Sequence, residues 1–421
     1  MVVSLNLACT PADSTLDTDS GAGGGAAVTG GGSGDQMADA GSPGGGSQAT
    51  GGGAGGGEVP IGNGGGGGDT TTGGGTGGGE VPIGNGGGGG GTATGGGTAT
   101  GGGTGTQSAW LHTQGNKILT SANVRWHGRG ANLHDTRGCD ACTFVAPNPG
   151  EVNRRMDLLV DGWKANFIRL DLESYASGGG RVNWQSFTDN AAYLNDIKTI
   201  VAHAVAKPGV YVMLSLWIDP TFTSVGWPTA STNAAWRVLA AAFKNEPRVM
   251  FGLVNEPQSN FSGAQDGQVW AAMNSAVQAI RDVEGTGPKH LIAVQGTRSW
   301  SRVLDYYITH PIAAGGGANV IYETHVYDPA NQFQSLFEIP SQTLPVIIGE
   351  FGPAGGFMTE ADCTTLMQRA RALEIPHLAW TFHQRCPPNL IQETAPGCGI
   401  NMTLTPTSWG TLFKNQLAVP W

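Results

Sequence analysis

The sequence predicts an α/β fold, a TIM-type (β/α)8 barrel preceded by a long disordered glycine-rich N-terminal segment, and three observations predict it. Residues 1–105 hold 44 of the 71 glycines and eight acids, with no aromatic residue, Lys or Arg. Such a stretch cannot bury enough apolar surface to offset its conformational entropy. From residue 106 onward, short apolar runs bounded by turn residues alternate with helical patterns, as in a parallel sheet with crossover helices. Eight such runs in about 300 residues match the count and size of a barrel.

In chain order, Met1-Val2-Val3-Ser4-Leu5-Asn6-Leu7-Ala8-Cys9 is an apolar stretch ending in a small residue and Cys. It resembles the end of a bacterial lipoprotein signal, in which the Cys is lipidated. It lacks a basic n-region and its apolar part is short, so an incidental apolar terminus stays open. Residues 10–105 read as linker. Glu58-Val59-Pro60-Ile61-Gly62-Asn63 recurs at Glu80-Val81-Pro82-Ile83-Gly84-Asn85, too little to stack a solenoid core, so its role is reach, roughly 50 to 60 Å over about 95 residues. No run of 18 apolar residues occurs, which excludes a spanning helix.

Residues 106–421 form one domain. Without the acids of the tail, 24 acids face 22 bases, so this part is nearly neutral and offers no basic footprint for nucleic acid. Trp110 to Leu119, turning at Gln114-Gly115-Asn116, reads as a hairpin plugging the barrel floor. The eight strands are expected at Val124 to Ala131, Ala165 to Leu170, Val210 to Leu216, Val249 to Leu253, His290 to Val294, Val320 to Tyr322, Val346 to Gly349 and His377 to Trp380. Helices are expected at Val152 to Val160, Asp189 to Ala206, Asn233 to Phe243, Gln268 to Val283, Glu360 to Leu373 and Trp409 to Leu417.

A barrel's active site lies at the C-terminal ends of its strands. There the sequence places Asn132 and His134, then Arg169, Asp171 and Glu173, then Trp217 and Asp219. Asn255 and Glu256 follow strand four, His325 and Tyr327 strand six, Glu350 strand seven, and Trp380 and His383 strand eight. A carboxylate at the mouth of a buried strand is costly unless something uses it. Cleaving a glycosidic bond uses two, one to protonate the leaving oxygen and one to attack the anomeric carbon.

Ile168-Arg169-Leu170, Asn255-Glu256-Pro257, His325-Val326-Tyr327, Glu350-Phe351-Gly352 and Trp380, in this order and at strand ends, resemble family 5 of the glycoside hydrolases, the cellulase family, over the whole of residues 106–421. The resemblance implies Glu256 as general acid/base and Glu350 as nucleophile of a retaining enzyme that cleaves β-linked polysaccharide. Arg169 and Tyr327 would hydrogen-bond the nucleophile and keep it ionised, with Glu256 the protonated member. Asn255 would meet the substrate 2-hydroxyl, His325 would line the site near the acid/base, and Trp380 would stack on a sugar. For Trp380 core packing is the competing reading, and for Arg169 an ion pair with Asp171 or Glu173. His134 joins the substrate-binding group.

The family often has a His where strand three here ends in Trp217. An indole stacks on sugar but accepts no hydrogen bond, so mannan, xylan-type or mixed-linkage glucan stay open beside an endoglucanase reading. Trp217 to Trp227 is expected to set specificity, unless Trp217 anchors its loop. Among the cysteines, Cys386 with Cys398 and Cys139 with Cys142 are candidate bridges of an exported protein, and Cys363 a buried free thiol. Cys139-x-x-Cys142 near His134 also has zinc-like spacing, but no second pair accompanies it, so neither metal nor cofactor is expected. The partner is a polysaccharide, bound by a monomer that is secreted or lipid-anchored through Cys9 at the bacterial cell surface or outer membrane. A non-catalytic carbohydrate-binding lipoprotein and a transglycosylase are the alternatives of other classes.

Overall fold

A computed structural model of the chain describes residues 109–135, 148–172, 191–216, 226–257, 260–298, 300–394 and 401–421. The expectations placed on residues 1–108, Glu173, Trp217, Asp219, Cys139, Cys142 and Cys398 lie outside these.

The hairpin pairs β1 (Leu111–Gln114) antiparallel with β2 (Lys117–Thr120). Its two-residue turn puts Gly115 at φ +58°, a conformation that needs glycine. Eight parallel strands then close a barrel: β3 (Arg129–His134), β4 (Phe167–Leu172), β5 (Tyr211–Leu216), β6 (Val249–Gly252), β7 (Ile292–Gln295), β8 (Val320–Val326), β9 (Val346–Phe351) and β10 (His377–Ala379), with β10 between β9 and β3. Around it pack α1 (Pro149–Asp157), α2 (Ala191–Val205), α3 (Ala230–Phe243), α4 (Asp266–Glu284), the short α5 (Asp305–Thr309), α6 (Glu360–Ala372) and α7 (Ser408–Leu417). Local chemistry starts several of these helices. Asn148 caps α1 ahead of Pro149, and the Thr229/Thr232 and Thr359/Asp362 pairs form reciprocal capping boxes for α3 and α6.

Strand alternation divides the core in two. On β4, Ile168, Leu170 and Leu172 face the helices, whereas Phe167 points into the barrel with Met213, Met250, Ile321 and Leu378. Leu111 and Ile118 of the hairpin and Trp126 join that inner cluster, so the hairpin does plug the floor. Above Phe167 the same inward parity gives Arg169 and Asp171, and the barrel changes from apolar to polar toward its C-terminal mouth.

Several boundaries differ from expectation; the first strand ends at His134 and the second runs Phe167–Leu172, so Asn132, His134, Arg169 and Asp171 lie within strands. The first strand starts at Arg129, and Val124 is 60% exposed because its carbonyl closes a turn with the Thr120 N–H. The sixth strand continues to Val326 and the seventh to Phe351. His325 and Glu350 therefore sit within their strands, paired with one another, rather than after them. The first helix ends in a π-helical turn, Leu158–Gly162.

Candidate active site

The two strand extensions meet at a β-bulge. Thr324 pairs with Ile348 and His325 with Glu350, leaving Gly349 as the extra residue. Glu350 is thereby turned into the barrel mouth and is almost fully buried. Arg169 Nη1 donates to its Oε1 at 2.8 Å and the Tyr327 hydroxyl to its Oε2 at 2.9 Å. Burial and the nearby Glu256 raise the Glu350 carboxyl while His325, Arg169 and the Tyr327 O–H lower it, leaving it at about 7. The two donors fit the carboxylate form of Glu350, against the burial that favours its protonated form.

Glu256 follows β6 with φ +49°, a left-handed conformation rare for a side chain of this size. Its N–H donates to Gln295 Oε1 at 2.7 Å, which holds the turn. Its carboxyl, 18% exposed, meets His325 Nδ1 at 2.9 Å, and the same Nδ1 lies 3.5 Å from Glu350 Oε1. Although burial opposes it, the charges of Glu350, Glu256 and Glu323 raise the His325 pKa to about 10, so the ring is a cation near neutral pH.

Arg169 is the hub beneath the pair. Besides Glu350, its Nη1 donates to Asn132 Oδ1 and its Nη2 to Asn255 Oδ1, both at 2.7 Å. Asn132 in turn donates to the Gly349 and Ala379 carbonyls, bracing β3 against β9 and β10. Asp171 Oδ1 lies 2.9 Å from Nη1, so Arg169 is close to Asp171 and Glu350 at once. Neither Asp171 oxygen accepts a hydrogen bond, and burial pushes its carboxyl well above the ordinary range.

Of the expected residues, Glu256, Glu350, Arg169, Asn255, His325 and Tyr327 thus converge on one mouth. Trp380 follows β10: it is 2% exposed, its carbonyl accepts from Trp409 Nε1 at 3.0 Å, and its ring meets His134 edge-on at 5.5 Å. A buried ring of this size also packs against its neighbours, as a large ring readily does. His134 is buried beside it and against His383. The structure adds Glu323 and Gln295. Glu323 is fully buried, 3.2 Å from Arg169 Nε and 3.1 Å from His325 Nε2. Its sequence signal is a lone acid two residues before His325, which strand alternation places on the same inward face.

Glu256, His325 and Glu350 bring one ligand atom each within 4.8 Å of one another, the geometry of a metal site. Those atoms already pair among themselves and with Arg169 and Tyr327, and the fixed Arg169 cation beside them opposes another. Cys363 is a buried free thiol as expected, and Cys386 is disulfide-bonded.

The glycosyl hydrolase family 5 model, described as cellulase, matches residues 126–385. Endoglucanase B of Paenibacillus lautus is 25% identical over 262 residues, 53% of this chain and 45% of that protein. An endoglucanase of Halalkalibacter akibai is 27% identical over 182 residues, 40% and 20% of the two chains. The chain thus spans less than half the length of these two relatives. In fold it is similar to the catalytic domain of Thermobifida fusca endoglucanase Cel5A (TM-score 0.56, 18% identity, covering 74% of this chain and 98% of that one) and to a mannanase catalytic domain from Streptomyces sp. SirexAA-E (0.53, 22%, 72% and 88%). With the matched segment covering more than half of its length, from the barrel floor to the loop after the last strand, the chain belongs to glycosyl hydrolase family 5.

Proposed function

We propose that this protein is a retaining glycoside hydrolase that cleaves a β-linked polysaccharide, with endoglucanase-like action on β-glucan. The observation that carries the reading is the pairing of Glu350, gripped by Arg169 and Tyr327, with a Glu256 oxygen less than 5 Å away across the mouth. That spacing belongs with the roughly 5 to 5.5 Å of retaining enzymes, not the 6.5 to 9.5 Å that admits a water. In the first step a Glu350 oxygen bonds to the anomeric carbon, the bond to the leaving oxygen breaks, and the Glu256 proton passes to that oxygen. In the second, Glu256 takes a proton from water, the water oxygen bonds to the anomeric carbon, and Glu350 leaves as carboxylate. Asn255, its Oδ1 held by Arg169, keeps its amide N–H groups for a substrate hydroxyl. The relatives named endoglucanase favour glucan, and the mannanase neighbour keeps mannan as the second reading.

Export with a lipid tether at Cys9 completes the proposal. The disulfide at Cys386 supports an oxidising compartment, and metabolic labelling with a fatty acid, lost in Cys9→Ser, tests the tether. The activity is tested by reducing-sugar release on β-glucan, carboxymethyl cellulose, mannan, xylan and xyloglucan, with Glu350→Ala as control. Release from one polymer that disappears in the control supports the hydrolase. Silence on all of them from folded protein favours a non-catalytic carbohydrate-binding protein.

A further inference from the structure

The double displacement uses two carboxylates, yet a third, Glu323, lies on the inward face of β8 below them. The barrel is shaped around it. A Cβ at Gly349, the bulge residue before the nucleophile, would sit 1.9 Å from Glu323 Oε1, so only glycine leaves the carboxylate its place. Its neighbours come from four strands: Arg169 of β4 at 3.2 Å, His325 of β8 at 3.1 Å, the Gln295 amide of β7 and the Gly349 backbone of β9.

The consequence falls on His325, whose Nδ1 faces Glu256 and, farther off, Glu350. Its Nε2 has two neighbours of opposite kind, Glu323 Oε1 and, at 3.3 Å, Gln295 Nε2. Gln295 Oε1 accepts from the Glu256 N–H, so its nitrogen is the end turned to the ring, and that NH2 is a donor only. A bare Nε2 could accept from Gln295 but would set its lone pair against the nearer buried carboxylate; a protonated Nε2 donates to Glu323, and the Gln295 NH2 donates to the same carboxylate. We infer that Glu323 is a positioning residue for the acid/base: by accepting a hydrogen bond from Nε2–H of His325 it keeps the ring doubly protonated, so that Nδ1–H donates to one oxygen of Glu256 and leaves the other to carry the catalytic proton.

This inference rests on the reading of Glu256 as acid/base, but its test does not need activity. In the whole protein with 15N-labelled histidine, assigned against His325→Asn, both ring nitrogens of His325 are expected to stay protonated up to about pH 9. Glu323→Gln should lower that titration by about two pH units or more. The variant's kcat/KM profile should break downward at the same pH, with KM at the optimum changed less than about threefold. An unprotonated Nε2 in the unsubstituted protein at about pH 8, or an identical titration in the variant, overturns the inference. If Glu323→Gln does not fold, the spectrum of the unsubstituted protein decides alone. A cationic ring in a protein inactive on every glycan supports the role of Glu323 and removes only the hydrolase reading.

Discussion

Replacing Glu350 by Gln separates a group kept for chemistry from one kept for structure, because the two predict opposite signs of stability change. The Glu350 carboxyl is raised from the ordinary 4.5 to about 7, with burial the largest cause. A carboxyl raised in the folded state makes that state bind the extra proton, so stability falls as pH climbs from 4.5 through 7. At 1.36 kcal/mol per pH unit the ionised group costs about 3 kcal/mol once pH exceeds 7. Gln has the shape of the protonated acid and does not ionise. The two proteins should therefore match near pH 4, and at about pH 8 the variant should be more stable by ~3 kcal/mol, or about 5 °C in thermal midpoint for a domain of some 300 residues. Scanning calorimetry at matched rates over this pH range reads the difference, and the same samples should have lost turnover by about 10⁴-fold or more. A structural ion pair with Arg169 predicts the reverse, a loss of about 3–5 kcal/mol on removing one buried partner. A variant destabilised at alkaline pH that retains activity would refute the reasoning.

Other expectations follow from the same contacts. Glu256→Gln should lose about 10²- to 10⁴-fold on polymer but far less on aryl glycosides with good leaving groups, which need no proton; equal loss on both argues against the acid role. Tyr327→Phe removes one of the two donors to Glu350 and should lower kcat with little change in KM, moving the acid limb of the profile to higher pH because the carboxylate has lost a stabilising hydrogen bond. Since burial holds Asp171 well above the ordinary carboxylate range, Asp171→Asn should leave kcat within about threefold and raise stability at neutral pH. A large loss of activity there would mean that the charged form of Asp171 serves Arg169.

The barrel was legible because short apolar runs alternate with helical patterns along the chain, both local signals. The end of the sixth strand was not, since Glu323, Thr324 and His325 look like a polar loop until His325 and Tyr327 are taken as inward residues. Alternation then carries the strand through Glu323. The convergence of Glu256, Glu350 and Arg169 could be read from strand ends alone, because barrel geometry brings those ends together wherever they lie in the chain. The roles of Asn132 and Gln295 are carried by hydrogen bonds across the closed barrel, such as Asn132 to Gly349 and Ala379, and no local pattern announces them. Trp380 shows the same limit: its identity fits a sugar platform and a packed ring equally, and its contacts with His134 and Trp409 could not be read from the sequence.

The central claim is that Glu350 becomes bonded to the sugar, and trapping tests it most directly. Incubation with a 2-fluoro β-glycoside of gluco or manno configuration bearing a dinitrophenolate leaving group, followed by peptide mass spectrometry, should find one glycosyl adduct, on the peptide containing Glu350. An adduct on Glu256, or turnover of these glycosides with inversion at the anomeric carbon and no adduct, would contradict the account.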